Sequence, residues 1–592
     1  MMLIQNAHGR VQEPLSQAIL TRVTRSTVWF AVTYTWHARA HSVQKVAPKK
    51  ELFLGCANRQ ARRIMSASTP TASSASRCPC QDTQSTEYCK NPLLRRFQAW
   101  TKAALAPLQM QSSDAETLLN LTTLHIGQKE RLADIARRLL LCEQPKRILK
   151  FVALGASVTY GHGLSPNFMA IKPANAWPAI LQRALREIWD VDVQMSNKAA
   201  AGTTAPFAAL CYDALVPEDA DVVFIEYGHT TRNDAALARL IEATLARGAL
   251  PIAVDYQHLV KRTAFVACGL GAPPGLERPR SDARICVLNT KLLRMVETQA
   301  VARKAFASRD LPMVSTLPLL QWFHGKLMGA DSSSVARVSD LKRFVSPDGG
   351  HATRAAHHFM AAMSVRLLWL AQDSLLTAAQ RGAPSISTLP PVRVPRGVCS
   401  IGNELQRLVV RSNGWDMLTE NDKTGLAATQ VGSETVLRVP IRHCSAERNV
   451  PNAYVQGPMR VSAPTPAASA AAVSPYRLFL TYLTSYEHMG VAQLSCSDGC
   501  SCERSSFDAH RPKVNRSLHL TSPAVALNIS SSYNSSCTNC SLRLRVLSRS
   551  QSGEHKFKLV ALTLVPPDLN TGAKKLTFLF DHVDRFVLNR SS

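Results

Sequence analysis

Ile148-Leu149-Lys150-Phe151-Val152-Ala153-Leu154-Gly155-Ala156-Ser157-Val158-Thr159 is the stretch on which the reading of this chain turns. Its first seven residues form a short, mostly apolar run, the pattern of a strand covered on both faces. The run ends on glycine, and a serine follows two residues later. In an open α/β sheet, ligands bind at the carboxyl ends of the strands, and the next turn offers backbone N–H groups to an anion. Ser157 therefore stands where a nucleophile could work. A serine in such a turn also serves as a helix cap, so the motif decides nothing by itself.

Working outward, the segment from about Lys146 to Gln372 alternates apolar runs with helix-period stretches, which predicts an α/β domain on a parallel sheet. A helix is expected from Asn175, with Pro178 in its first turn and Trp177, Leu181, Leu185 and Ile188 on one face. Val191–Met195, Asp221–Tyr227 and Leu250–Tyr256 read as further strands, with Leu311–Ser315 as a fifth. Between them a helix runs from Asp234 to Arg247 and stops at Gly248. A last helix follows His351, with Phe359, Met363, Leu367 and Leu370 on its apolar face.

The second chemical motif is Asp348-Gly349-Gly350-His351, just ahead of that last helix. A three-residue spacing lets the carboxylate reach a ring nitrogen, fix the tautomer and stabilise the imidazolium formed when His351 takes the proton of Ser157. Its bland reading is a loop aspartate capping the helix.

Taken together, the order and positions of the two motifs resemble the SGNH or GDSL-type hydrolase family, in which the serine block opens the domain and Asp-x-x-His closes it. The resemblance covers about Leu149 to Leu370. It implies a three-layer α/β/α, flavodoxin-like fold, an ester hydrolase activity and no metal or organic cofactor. It also implies two middle blocks. Asn197-Lys198-Ala199-Ala200-Ala201-Gly202-Thr203 is similar to the block whose glycine lends an N–H to the oxyanion hole, here Gly202. Tyr227-Gly228-His229-Thr230-Thr231-Arg232-Asn233-Asp234 is similar to the block whose asparagine is another donor, here Asn233, beside the N–H of Ser157. The chain departs from the pattern at Ala156, where the family often has aspartate, and in a loop before Asn233 about two residues longer than usual. His162, His229, His357 and His358 read as surface histidines rather than metal ligands.

Beyond a Pro/Ser/Arg-rich linker at residues 379–397 the period falls to two. Leu542-Arg543-Leu544-Arg545-Val546 alternates strictly, and Lys556-Phe557-Lys558-Leu559-Val560 reads as the start of another half-buried strand. Residues 398–592 are thus expected to form an antiparallel β-sandwich with an Ala/Pro/Ser insert at 462–475. This region resembles the β-rich extension beside SGNH domains in some algal and oomycete proteins. The hydrolase-like domain is set at 96–378. Residues 1–95, basic and poor in acids, read as a targeting or unstructured extension, with no clear signal peptide at Met1.

The chain has 15 cysteines, five of them clustered as Cys496, Cys500, Cys502, Cys537 and Cys540. Paired cysteines at short spacing suit either disulfides or a thiolate zinc site. A sequon at Asn539 inside the cluster, with others at Asn515, Asn528, Asn534 and Asn589, favours disulfides in an oxidising, secretory compartment. A sixth sequon stands at Asn120. The net charge of +27 raises nucleic acid, anionic membranes and acidic polysaccharides as partners. No aromatic-interleaved basic motif supports nucleic acid, and no run of 18 apolar residues supports a membrane span. The expected activity is hydrolysis of an ester, plausible substrates being acyl groups on an extracellular or cell-wall glycan. The alternatives are a glycan O-acyltransferase and an inactive glycan-binding or wall protein.

Overall fold

The computed structural model describes residues 86–109, 112–127, 129–141, 148–164, 173–228, 234–256, 300–319, 343–344, 346, 351–379, 397–420, 423–441, 475–512, 517–529 and 538–566. Two bodies of secondary structure follow one another along it. The first is built on strands β1 (Thr123–His125), β2 (Leu149–Gly155), β3 (Val193–Asn197), β4 (Val222–Glu226), β5 (Leu250–Asp255) and β6 (Met313–Ser315). They form one sheet in the order β1-β6-β5-β4-β2-β3. The five strands expected from sequence pair in parallel, and β1 adds an antiparallel edge that the sequence pattern did not show. The bounds differ from the expected ones by a few residues, most at β3, which begins at Val193 rather than Val191.

Alternate residues of β2 face different clusters. Phe151 and Ala153 pack with the helices α1 (Thr86–Leu105), α2 (Ser112–Thr122), α3 (Lys129–Leu141), α5 (Trp177–Trp189) and α9 (Arg354–Ala379). Val152 and Leu154 pack on the other side with α6 (Ala205–Leu210), α7 (Tyr212–Leu215) and α8 (Asp234–Ala246). A strand covered on both faces has to be apolar throughout, which is why β2 and β4 read as near-continuous runs. Each fully buried Leu or Phe here contributes roughly 1.5–3 kcal/mol through its removal from water. The α5 helix starts at Trp177, two residues later than expected, behind a short 3₁₀ turn at Pro173–Asn175. The α1 helix runs across position 95, and its Leu93 and Phe97 are already part of the core.

The strands of the second body pair antiparallel. Eight strands, among them β7 (Val398–Ile401), β9 (Asp416–Glu420), β10 (Lys423–Ala428), β12 (Tyr476–Thr484), β16 (Leu518–Thr521) and β19 (Phe557–Val565), make one sheet. Five more, including β11 (Glu434–Ile441), β13 (Val491–Ser497) and β18 (Thr538–Val546), make another. Side chains from both meet in one apolar cluster around Trp415, Leu437, Leu480, Leu544 and Phe557. In β18 the expected alternation holds: Leu542, Leu544 and Val546 are buried while Arg543 and Arg545 are exposed.

The expectation for β19 was wrong. The strand is buried on both faces, Lys558 included, because its second face lies under other groups. Toward its end that cover is the α/β body: Ala561 and Val565 join Phe479 in the cluster that holds Val152 and Leu154. A disulfide between Cys211 and Cys399 ties the same contact together, 188 residues apart in sequence. Cys496–Cys502 and Cys500–Cys540 form two more, so the cysteine cluster is disulfide-bonded, with the sulfurs of Cys496, Cys500 and Cys540 within 4.8 Å of one another. Residues 380–396 of the linker, 462–474 of the insert, Cys537 and the sequons at Asn515, Asn534 and Asn589 lie outside the described residues. Among the described helices none is long and apolar enough to cross a membrane.

Candidate active site

The β2 strand delivers Gly155 and Ala156 to the carboxyl end of the sheet, where the chain turns at once into the short helix α4 (Ser157–Tyr160). Ala156 adopts an unusual φ of −94° and ψ of −147°, and its side chain caps nothing. The carbonyl of Ser157 accepts the N–H groups of Gly161 and His162, leaving its hydroxyl for other partners. That hydroxyl lies 3.0 Å from Nε2 of His351, although the two residues are 194 apart in the chain. The N-cap position of α4 is taken by Ala156, so Ser157 is not the cap of that helix.

His351 is held from two sides. Its carbonyl accepts the N–H of Ser346 at 2.9 Å, and the N–H of Thr353 reaches the carbonyl of Phe344 at 3.1 Å. These bonds tie the backbone around His351 to Phe344 and Ser346. Beneath the ring lies Gly163, with φ of +89°. A Cβ there would fall 2.7 Å from Cβ of His351 and 2.7 Å from the carbonyl oxygen of Ala352, so only glycine fits. The ring of His162 leans against that of His351, centroids 5.4 Å apart.

A buried polar chain supports the serine turn from below. Trp177 Nε1 donates to the hydroxyl of Thr159 at 3.0 Å, and that hydroxyl donates to Glu226 Oε2 at 2.8 Å. The N–H of Ala156 points at the same carboxyl oxygen at 3.4 Å. The carboxyl fills the space over Gly155, whose absent Cβ would stand 2.8 Å from Oε2. Asn197 Nδ2 donates to the Thr159 carbonyl at 2.7 Å and so joins the end of β3 to the same turn. Complete burial pushes the Glu226 carboxyl up to about 8, against the hydrogen bonds from Thr159 and Ala156 and the nearby His351 ring. At neutral pH the group is mostly protonated.

His357 is another correction. Expected at the surface, it is fully buried on α9, and Nδ1 accepts the N–H of Trp177 at 3.1 Å. Burial pulls its pKa down to about 3. Its neutral ring satisfies the first turn of α5, which sequence periodicity cannot reveal. His162 and His358 are partly buried. Glu226, Thr159 and Trp177 were missed too. The available signal was an acid closing an otherwise apolar strand, since a buried carboxyl needs a reason.

After β3 the chain runs on beside β2, with Lys198 N–H on the carbonyl of Ala153 and Ala200 N–H on that of Gly155. This brings Gly202, with φ of +78°, to a turn near the serine end of β2. The Gly202 carbonyl accepts the N–H of His519, from β16 of the antiparallel body, at 3.2 Å. Of the five residues expected in the site, the structure thus brings Ser157 and His351 into contact and places Gly202 on the adjoining turn. Asp348, Asn233 and His229 lie outside the described residues.

No protein-family model matches the sequence, and neither does any curated protein. Solved structures do. A two-domain esterase active on acetylated mannans, co-crystallised with mannopentaose, gives a TM-score of 0.44 at 14% identity, covering 76% of this chain and 98% of that one. An extracellular lipase from Streptomyces rimosus gives 0.23 at 16% identity, covering 38% and 100%. A carbohydrate-binding domain from a multidomain xylanase of a Trinervitermes trinervoides hindgut metagenome gives 0.17 at 10%, covering 28% and 96%. All three scores are below 0.5, so the chemistry below rests on the geometry of this chain.

Proposed function

We propose that this protein is a serine-nucleophile ester hydrolase of the SGNH type, built on a three-layer α/β/α domain with a β-sandwich beside it. The observation that carries the proposal is the 3.0 Å contact between Ser157 Oγ and His351 Nε2 at the carboxyl end of β2. A hydroxyl within hydrogen-bond reach of an imidazole is the unit that general-base attack requires. His351 takes the proton as Oγ of Ser157 bonds to the carbonyl carbon of the ester. The tetrahedral oxyanion collapses, the alkoxy group leaves with that proton, and an acyl-serine remains. Water, deprotonated by His351, then releases the carboxylic acid and restores the serine.

In this reading Asp348 orients His351, and Ser157, Gly202 and Asn233 supply the oxyanion donors. Each such donor is typically worth on the order of 10²–10³ in rate. The substrate class we favour is an acylated, above all acetylated, extracellular glycan, with the three disulfides among the described residues supporting a secreted protein.

The test is hydrolysis of nitrophenyl acetate by the full chain, refolded with its disulfides formed. Ser157→Ala is expected to lower turnover at least 10³-fold with the fold intact by circular dichroism. Equal rates in variant and parent would remove Ser157 from the mechanism.

A further inference from the structure

One group of charges is left unused by this chemistry, and it lies where the antiparallel body meets the Gly202 turn. Lys558 projects from β19 with its side chain fully buried, a costly position for an ammonium unless a partner repays the lost hydration. It donates to Glu420 Oε2 at 3.4 Å and to the backbone carbonyl of Lys423. Lys556 pairs with the same Glu420, and among the described residues Lys423 Nζ reaches the carbonyl of Ser517, at 3.3 Å. Among the described residues, Lys556 and Lys558 thus share a single carboxylate, and Lys423 has none.

His519 completes the group. Its side chain is buried, and neither ring nitrogen has a hydrogen-bond partner among the described residues. Lys423 Nζ lies 3.3 Å from the carbonyl of Ser517, two residues from His519. Burial, then the charges of Lys423 and Lys558, drive the ring's pKa down to about 3. Burial and Lys558 likewise lower Lys423. The backbone of His519 is the part of the antiparallel body that hydrogen-bonds to Gly202. Among the described residues, a surplus of positive charge, an imidazole with both nitrogens unspent and a position against the Gly202 turn are three independent observations that point the same way.

We propose that Lys423, Lys558 and His519 form a subsite for an anionic oxygen group, carboxylate or sulfate, on a sugar of the glycan chain, so that the substrate is an acidic glycan. This rests on the ester-hydrolase reading and deepens it. An oxyanion entering the cluster meets Lys423, whose Nζ makes no ion pair with Glu420 among the described residues, and Lys558, which shares that carboxylate with Lys556, and a His519 ring N–H donates to it. Seated there, the charged sugar lies beside Gly202, and the acylated position is carried toward Ser157.

The experiment uses the full chain with Ser157→Ala, which binds without turnover. Calorimetry with tetragalacturonate, a sulfated tetrasaccharide and neutral mannotetraose is run at 20 and 200 mM NaCl. At least one acidic ligand is expected to bind tenfold or more tighter than mannotetraose and to lose affinity with salt. The one that binds identifies carboxylate or sulfate. Adding Lys423→Met or His519→Gln is expected to remove most of that advantage. Equal affinity for the acidic and neutral ligands, or an acidic preference unchanged in both variants, overturns the subsite. Should a variant misfold, salt dependence on the Ser157→Ala chain alone decides, and its absence counts against the proposal. Nitrophenyl acetate turnover by the unmutated chain reads the nucleophile separately, so either conclusion can fail without the other.

Discussion

At the scale of single residues, the most informative side chain is Glu226. It is buried where the turn of Ser157 needs an acceptor, and it stays neutral because the interior cannot solvate its charge. A carboxyl whose pKa is raised on folding binds more protons in the folded state. Its contribution to stability is therefore complete below about pH 4.5 and declines as pH rises toward about 8. Over that window the loss is on the order of 4 kcal/mol. His357 has the opposite sign: its lowered pKa makes stability fall as pH drops from about 6.5 toward 3. Between pH 6.5 and 8 the Glu226 slope stands clear of it. Glu226→Gln keeps the shape and the acceptor oxygen and should flatten thermal stability across that interval. A parent profile equally flat there would show that the carboxyl is not held neutral. Little of this was legible in the sequence, because burial of one acid at a strand end depends on Thr159 and Trp177 arriving from elsewhere.

Among elements, the strands and the turn after β2 were the most legible, since a strand covered twice must be apolar along its length. Positions of β2, β4 and β5 followed directly from that demand. The antiparallel edge β1 did not, because three partly buried residues carry no periodic signal. The serine and histidine motifs could be read, yet their meeting depends on the glycine segment between α4 and α5. Gly163→Ala is expected to strain a φ of +89° and push a methyl group into His351 and Ala352. We expect at least tenfold lower nitrophenyl acetate turnover, with a loss of stability of about 1–3 kcal/mol. Unaltered turnover would mean that His351 moves aside without consequence for the reaction.

In the molecule as a whole, the contact between the two bodies was the least legible feature. Composition marked a change near residue 380 but gave no hint that β19 would be covered on its second face. The half-buried expectation for Lys558 failed because its neighbours come from β9 and β10 rather than from water. The Cys211–Cys399 bridge was equally hidden, because the two cysteines carry no shared spacing. Its loss in Cys211→Ser/Cys399→Ser is expected to cost about 2–4 kcal/mol. Thermal unfolding of parent and variant measures this, and coincident melting curves would show that the bridge does not form. The packing of Phe479, Ala561 and Val565 into the cluster that holds Val152 and Leu154 has a consequence for how such a chain can be taken apart. Severed between Ala379 and Val398, the leading half would bare the seat of Phe479, Ala561 and Val565, and the trailing half would carry those same greasy side chains into water. Neither piece would be a spare part, and an ancestral exchange of one half for a foreign module would have had to bring its own matching seat.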